Sequence, residues 1–133
     1  MIAVDTNILV RLLVNDDKKQ AKFAANLFKN NSIFIPKSVL LETEWVLRYT
    51  YEIKSDMIST AFEKLLGLSR VRVEDSICVS QAIQWYKKNF DFADALHLAA
   101  SMQATTFATF DKKFIKIAKK SQINLLDANK QTE

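Results

Sequence analysis

Four carboxylates, Asp5, Glu42, Asp94 and Asp111, are spaced along the chain where short apolar runs give way to helix-like segments. If the fold gathers them, they repel, and each ionised neighbour raises the pKa of the next. A divalent cation removes that cost, and an all-oxygen donor set with few other ligands favours Mg2+ or Mn2+. Such an ion lowers the pKa of a bound water and stabilises charge on a phosphoryl oxygen. Each acid also has a plainer role. Asp5 before Thr6-Asn7-Ile8 and Asp111 before Lys112-Lys113-Phe114 suit helix N-caps. Asp91 and Asp94 suit a first helical turn, where the helix dipole favours negative charge. Glu42 has Glu44 beside it, and either fits a solvated helix face. Spacing alone leaves the site open.

The elements that must position these acids alternate in type. Ile2-Ala3-Val4 reads as a short buried strand ending at Asp5, followed by helical spacing of Ile8, Leu9, Leu12 and Leu13. Asn15-Asp16-Asp17 breaks that helix and caps a second, with Ala21, Ala24, Ala25 and Phe28 as its apolar face. Ile33-Phe34-Ile35 is a second strand. Pro36 fits the first turn of a helix that runs to Tyr51. Ser55 is expected to cap a helix to about Leu66, where Gly67 stops it. Val71-Arg72-Val73 is a third strand, and Glu74-Asp75-Ser76 opens a helix ending near Lys88-Asn89. Phe90 to Asp94 opens another, with Ala95, Leu96, Leu98, Ala99 and Met102 inside. Thr105 to Thr109 is a fourth strand, Asp111 begins a helix to Lys120, and Ile123 to Leu126 is a candidate fifth strand. Asp127 to Glu133 is polar and expected to fray. The alternation calls for an α/β domain spanning residues 1–133, its mostly parallel sheet covered on both faces. In such sheets ligands gather beyond the carboxyl ends of the strands, where Asp5 and Asp111 would be neighbours if the first and fourth strands lie side by side.

Composition narrows the classes. Apolar residues are 49% of the 133, enough for a globular core, and one glycine with one proline argues against an all-β fold. The single cysteine, Cys78, excludes an internal disulfide and multi-cysteine zinc sites, and its apolar neighbours mark it as a small buried hydrophobe. The single histidine, His97, lacks the Gly-x-Ser-x-Gly elbow of a serine hydrolase. No apolar run reaches membrane-spanning length and no signal-like segment opens the chain, so a cytoplasmic protein is expected. A net charge of +4 biases it mildly toward anionic partners.

The text around the acids is more specific than their spacing. Ile2 to Arg11 resembles the opening of PIN-domain proteins, especially VapC-type toxins. Val39 to Leu47, Phe92 to His97 and Thr109 to Phe114 are similar to the three later acidic blocks of that family, in its order and at its usual spacing. The resemblance implies a three-layer fold with five short parallel strands in the order 3-2-1-4-5 between helices. It implies that Asp5, Glu42, Asp94 and Asp111 serve metal-dependent hydrolysis of RNA phosphodiester bonds with Mg2+ or Mn2+. Asp5, Asp94 and Asp111 are then the metal ligands, and Asn7 orients Asp5 from behind. Asp91, on nearly the same helix face as Asp94, is a candidate to share or replace its role. Glu44 points roughly opposite to Glu42, which makes Glu42 the expected inward acid. His97 is expected to be buried or hydrogen-bonded. The likeness also implies a homodimer and a small VapB-like antitoxin as partner.

Lys112, Lys113, Lys116, Lys119 and Lys120 gather on the helix after Asp111, with Phe114, Ile115, Ile117 and Ala118 on its inner side. A solvated amphipathic helix explains them, and so does a phosphate-tracking rim for RNA, extended by Arg11, Arg48, Lys87 and Lys88. Trp45, Trp85, Tyr86 and Phe90 are candidates for base stacking, with core or interface packing the commoner role. Two rivals remain. One is a catalytically silent RNA-binding module of the same fold. The other is a phosphate-handling doubly wound protein, disfavoured because Asp5 is followed by Thr6-Asn7 where an aspartate-nucleophile phosphatase wants Asp-x-Asp, and because Gly67 stands alone where a phosphate loop needs several glycines.

Overall fold

In a computed structural model that describes residues 1–130, five short strands alternate with seven helices. In chain order they are β1 (Ile2–Ala3), α1 (Thr6–Leu13), α2 (Lys18–Asn30), β2 (Ile33–Ile35), α3 (Lys37–Tyr49) and α4 (Ser55–Leu66). Then come β3 (Val71–Val73), α5 (Ser76–Lys87), α6 (Phe92–Ala99), β4 (Ala108–Thr109), α7 (Lys112–Lys120) and β5 (Leu126–Asp127). All strand pairs are parallel. This is the expected α/β architecture, with one refinement. Among the described residues the strands form two ladders, 3-2-1 and 4-5, and β1 and β4 are not hydrogen-bonded neighbours. Both are only two residues long. β4 is shorter than the Thr105–Thr109 run because Thr105 and Thr106 lie in the connecting loop.

β2 is the spine. Ile33 and Ile35 are fully buried, and Ile33 pairs with Ile2 on one side and Val71 on the other. A parallel strand covered on both faces needs apolar side chains on both, and here Ile33 and Ile35 fill one face while the half-buried Phe34 takes the other. The helices bury one stripe each: Leu9 and Val10 on α1, Leu40 and Leu47 on α3, Ile58, Phe62 and Leu65 on α4, Val79, Ala82 and Ile83 on α5. Cys78 is buried as read. On α2 the inward residues are Ala24 with the half-buried Leu27 and Phe28, while Ala25 is exposed.

Local differences from the sequence reading have local causes. Pro36 is the N-cap of α3 rather than its first residue, and the free N–H of Lys37 is satisfied by Glu74 Oε1 at 3.0 Å, reaching over from beyond β3. Lys54, not Ser55, occupies the cap position of α4, with no side-chain cap bond. α3 ends at Tyr49 and α6 at Ala99, so Met102 lies outside the helix and is exposed. Asp127 closes β5 and Ala128–Lys130 form a 3-10 turn, so the polar tail is structured that far; residues 131–133 lie outside the described residues.

Helix α3 packs against α1, α4 and α6. Its side chains can therefore reach the acids after β1 on one flank and those opening α6 on the other. No helix of the described residues is long and apolar enough to cross a membrane.

Candidate active site

Aromatic packing sets the acids in place. Phe90 and Phe92 are buried on either side of exposed Asp91, which pins the turn before α6. Phe92 packs edge-on against Phe62 and Tyr86, with centroids at 5.5 and 5.1 Å. Phe90 meets Phe114 of α7 at 6.2 Å. Phe90, Phe92 and Phe114 each stand one to three residues from an acid of the site. The Phe90–Phe114 contact thus ties the start of α6 to the start of α7, and Asp91, Asp94 and Asp111 line one cavity of about 480 Å³. Arg48, Tyr86 and Lys113 line it as well.

The capping roles are real and leave chemistry free. Asp91 Oδ1 accepts from the Asp94 N–H at 3.2 Å, and Asp111 Oδ1 accepts from the Phe114 N–H at 3.1 Å. Each carboxylate spends one oxygen on its cap and keeps the other. Asp94, one turn into α6 and half-buried, is not used as a cap. Burial first, then the Asp91 and Asp111 carboxylates, push the Asp94 carboxyl above its ordinary value, with His97 pulling the other way. Like charge converges there without a protein cation to neutralise it fully. His97, expected to be buried or hydrogen-bonded, is exposed, and the bond it takes part in is through its backbone carbonyl, from Ser101 Oγ.

Glu44 corrects the sequence reading. It is 2% exposed, whereas Glu42 is at the surface, so Glu44 is the inward acid of α3. Arg48, one turn on, donates to Glu44 through Nε at 2.6 Å and Nη2 at 3.3 Å, and the Tyr86 hydroxyl donates to Glu44 Oε2 at 2.8 Å. Arg48 also stands 3.6 Å from Asp91. The pairing could not be read from α3 alone, because its third member, Tyr86, is 42 residues away.

The remaining candidates sit elsewhere. Asp5 caps α1, its Oδ1 accepting from the Ile8 N–H at 3.1 Å, and does not line the acid cavity. Its orienting bond comes from that amide; Asn7 is exposed and borders a groove with Arg11 and Glu42. Glu42 accepts a hydrogen bond from Thr6 Oγ1, which ties α3 to the residue after Asp5. Arg11 is committed to Asp16 and Gln20, both at 2.8 Å, and to Tyr51 at 3.0 Å, so its guanidinium acts as a local clasp. Lys113 is on the cavity wall, while Lys112, which opens α7, and Lys116, one turn on, are exposed and do not line it. Tyr86 and Phe90 are core residues and Trp45 is exposed.

The PIN domain family profile matches residues 2–120. The chain belongs to the PIN-domain family. No curated protein sequence matches it. PIN domains are typically nucleases and commonly bind Mg2+. The residues of this PIN domain suit such an ion in donor chemistry: Asp94 and Asp111 offer free carboxylate oxygens at a point of excess negative charge. Among the described residues, no group of three or more acidic, histidine or cysteine side chains is arranged to hold an ion alone. Mg2+ is usually held by one or two carboxylates, with waters and substrate phosphates completing its shell. An acid pair at an open cavity fits that habit.

Proposed function

We propose that this PIN domain is a metal-dependent endoribonuclease that hydrolyses RNA phosphodiester bonds, working in the cytoplasm as the toxin of a VapBC-type toxin–antitoxin pair. The observation that carries the nuclease reading is the convergence of Asp94, Asp91 and Asp111 on one cavity that also presents Arg48 and Lys113. Carboxylates flanked by cations are what a site needs to attract a phosphate and still leave donors for a metal ion.

Asp94 and Asp111 would hold the ion, with Asp5 as the third ligand by family likeness; Glu42 would act from the α1 side. When bound, the ion supplies an acidified water and charge stabilisation at a phosphoryl oxygen. The chain's own residues do the rest. Caps at Asp111 and Asp5 fix those carboxylates in direction, leaving Oδ2 of each available. Lys113 meets the phosphate backbone at the cavity wall, with Lys112 and Lys116 extending the positive surface outward. The toxin role, the homodimer and the VapB-like antitoxin rest on the four sequence blocks.

A silent RNA-binding PIN domain is the alternative. The position of Glu42 and Asp5 off the cavity favours it. Cleavage of a mixed cellular RNA pool separates the two. The purified protein is expected to cut with Mg2+ or Mn2+, to stop with EDTA, and to lose activity as Asp94→Asn. Binding without cutting under every metal supports the silent module, and equal cutting by wild type and variant defeats the assigned site.

A further inference from the structure

On the outer face of α3, Trp45, Arg48 and Tyr49 stand at i, i+3 and i+4, the spacing that makes helical neighbours. Trp45 is 56% and Tyr49 59% exposed, yet their rings pack on each other at 5.3 Å, and the Arg48 guanidinium lies 4.4 Å over the Tyr49 ring. Single exposed aromatics are ordinary; a contiguous pair carrying a cation is not. The strip also has a definite position. Trp45 borders the groove of Glu42 and Thr6, while Arg48 borders the cavity of Asp94 and Asp111. The strip thus has one end at the Glu42 groove and the other at the acid cavity.

Arg48 is built to stay there. Glu44, buried beneath it, takes Nε and Nη2 as a fork, and the Tyr86 hydroxyl holds Glu44 from the other side. Nη1 donates to the Tyr49 hydroxyl at 3.0 Å. A guanidinium has five N–H donors, and three are engaged by these bonds, which leaves one on each terminal nitrogen. Two such donors on one edge match the paired oxygens of a phosphate. Among the described residues the carboxylate paired with that edge is Asp91, 3.6 Å from Nη2, an ion pair too long for a full hydrogen bond.

The geometry points to a nucleotide subsite on α3: Arg48 takes a backbone phosphate at the cavity lip, and Tyr49 with Trp45 stacks the unpaired base beside it. The inference rests on the ribonuclease reading and adds to it the residues that select an unstacked strand. Every base has a π face, so the subsite selects for single-strandedness rather than for sequence. Glu44 and Tyr86 are positioning residues for Arg48.

The chain has two tryptophans, and Trp85 is the half-buried one. A Trp85→Phe, Asp94→Asn protein in Mg2+ therefore reports on Trp45 while leaving RNA uncut. The probe is a labelled ribo-oligonucleotide of roughly 12 nucleotides, single-stranded or annealed to its complement. Trp45 emission is expected to fall with the single strand and to stay level with the duplex. By anisotropy, Tyr49→Ala and Trp45→Ala, both surface changes that spare the core, should each weaken single-strand binding about tenfold. Arg48→Gln, checked for folding by circular dichroism, should lower the slope of log affinity against log salt by about 0.7. Single-strand binding with unchanged Trp45 emission, or with ring variants that bind like the parent, overturns the subsite alone. So does Trp45 emission that shifts with protein concentration as the chain sediments as a dimer, because the rings are then a contact between copies. Failure to bind or cut any RNA overturns the ribonuclease reading and the subsite with it.

Discussion

At Asp94 function and stability pull in opposite directions. Its carboxylate is half-buried and faces Asp91 and Asp111, so folding penalises the ionised form. A carboxyl whose pKa is raised by folding contributes most when protonated, and that contribution is lost as pH rises through the folded value. Asp94→Asn removes the repulsion and keeps the shape. It is expected to melt at a higher temperature than wild type at neutral pH in EDTA, with the gap narrowing in acid and on adding Mg2+. A variant that melts no higher than wild type in EDTA removes charge crowding as a description of the cavity. Tyr86 makes the converse case. Burial, then its bond to Glu44, pushes its phenol well above the ordinary value of about 10. Loss of that charged hydrogen bond in Tyr86→Phe should cost about 1.5–3 kcal/mol in urea melts at pH 7. The wild-type advantage is fully present below about pH 10 and shrinks as pH climbs toward the folded value. An advantage that does not change between about pH 9 and pH 11 contradicts the raised phenol. The aspartate caps could be read from the sequence because a cap bond spans three residues. Glu44 could not, because its burial depends on Tyr86, 42 residues further along the chain.

Elements fix how far those side chains can be trusted to stay put. Asp111 caps α7 and is also a proposed ligand, and the two roles separate by substitution. Asparagine caps about as well as aspartate, whereas alanine forfeits about 1 kcal/mol. Asp111→Asn should therefore hold its melting temperature and lose cleavage, while Asp111→Ala loses both; an Asn variant that still cuts dismisses the ligand role. Gly67 offers a control far from the chemistry. It ends α4 with φ of −83°, a conformation open to any residue, and an added Cβ would meet only carbonyl oxygens at 3.6 Å. Gly67→Ala should raise stability by about 0.4–1 kcal/mol in the same urea melts, since it mainly restricts the unfolded chain. Destabilisation would mean that the α4–β3 turn needs glycine after all. The sequence located every helix because apolar periodicity is strong over α1, α2 and α7, and it found the first four strands, but it placed the fifth at Ile123 to Leu126 where the strand is Leu126–Asp127. It misjudged ends such as Ser55, where Lys54 takes the cap position with no side-chain bond, Met102, which lies beyond α6, and Pro36, after which the remote Glu74 caps Lys37. The division into 3-2-1 and 4-5 ladders was equally out of reach, because two-residue strands carry almost no pattern of their own.

For the whole molecule, the excess of four positive charges is unevenly spent. Arg11 is absorbed by Asp16, Gln20 and Tyr51, whereas Arg48 is anchored by Glu44 and keeps one N–H on each terminal nitrogen at the cavity lip. The lysines of α7 make no ion pair among the described residues and follow directly from the acid at its cap. One basic surface thus lies beside the cavity, where α7 buries Phe114, Ile115 and Ala118 and turns its lysines outward, and a second, of Lys18, Lys19 and Lys22, lies on α2. Such a surface adds affinity through released counterions, with a slope near 0.7 per phosphate contact on single strands, and adds no sequence preference. Lys113→Gln with Lys116→Gln should accordingly reduce the salt slope of RNA binding by about 1.4 and weaken binding at low salt. The set of cleaved positions should be unchanged, because positioning charges fix register without reading bases. A changed cleavage pattern at equal affinity would assign these lysines to recognition, and an unchanged slope would leave α7 as a solvated face whose only part in the chemistry is to carry Asp111.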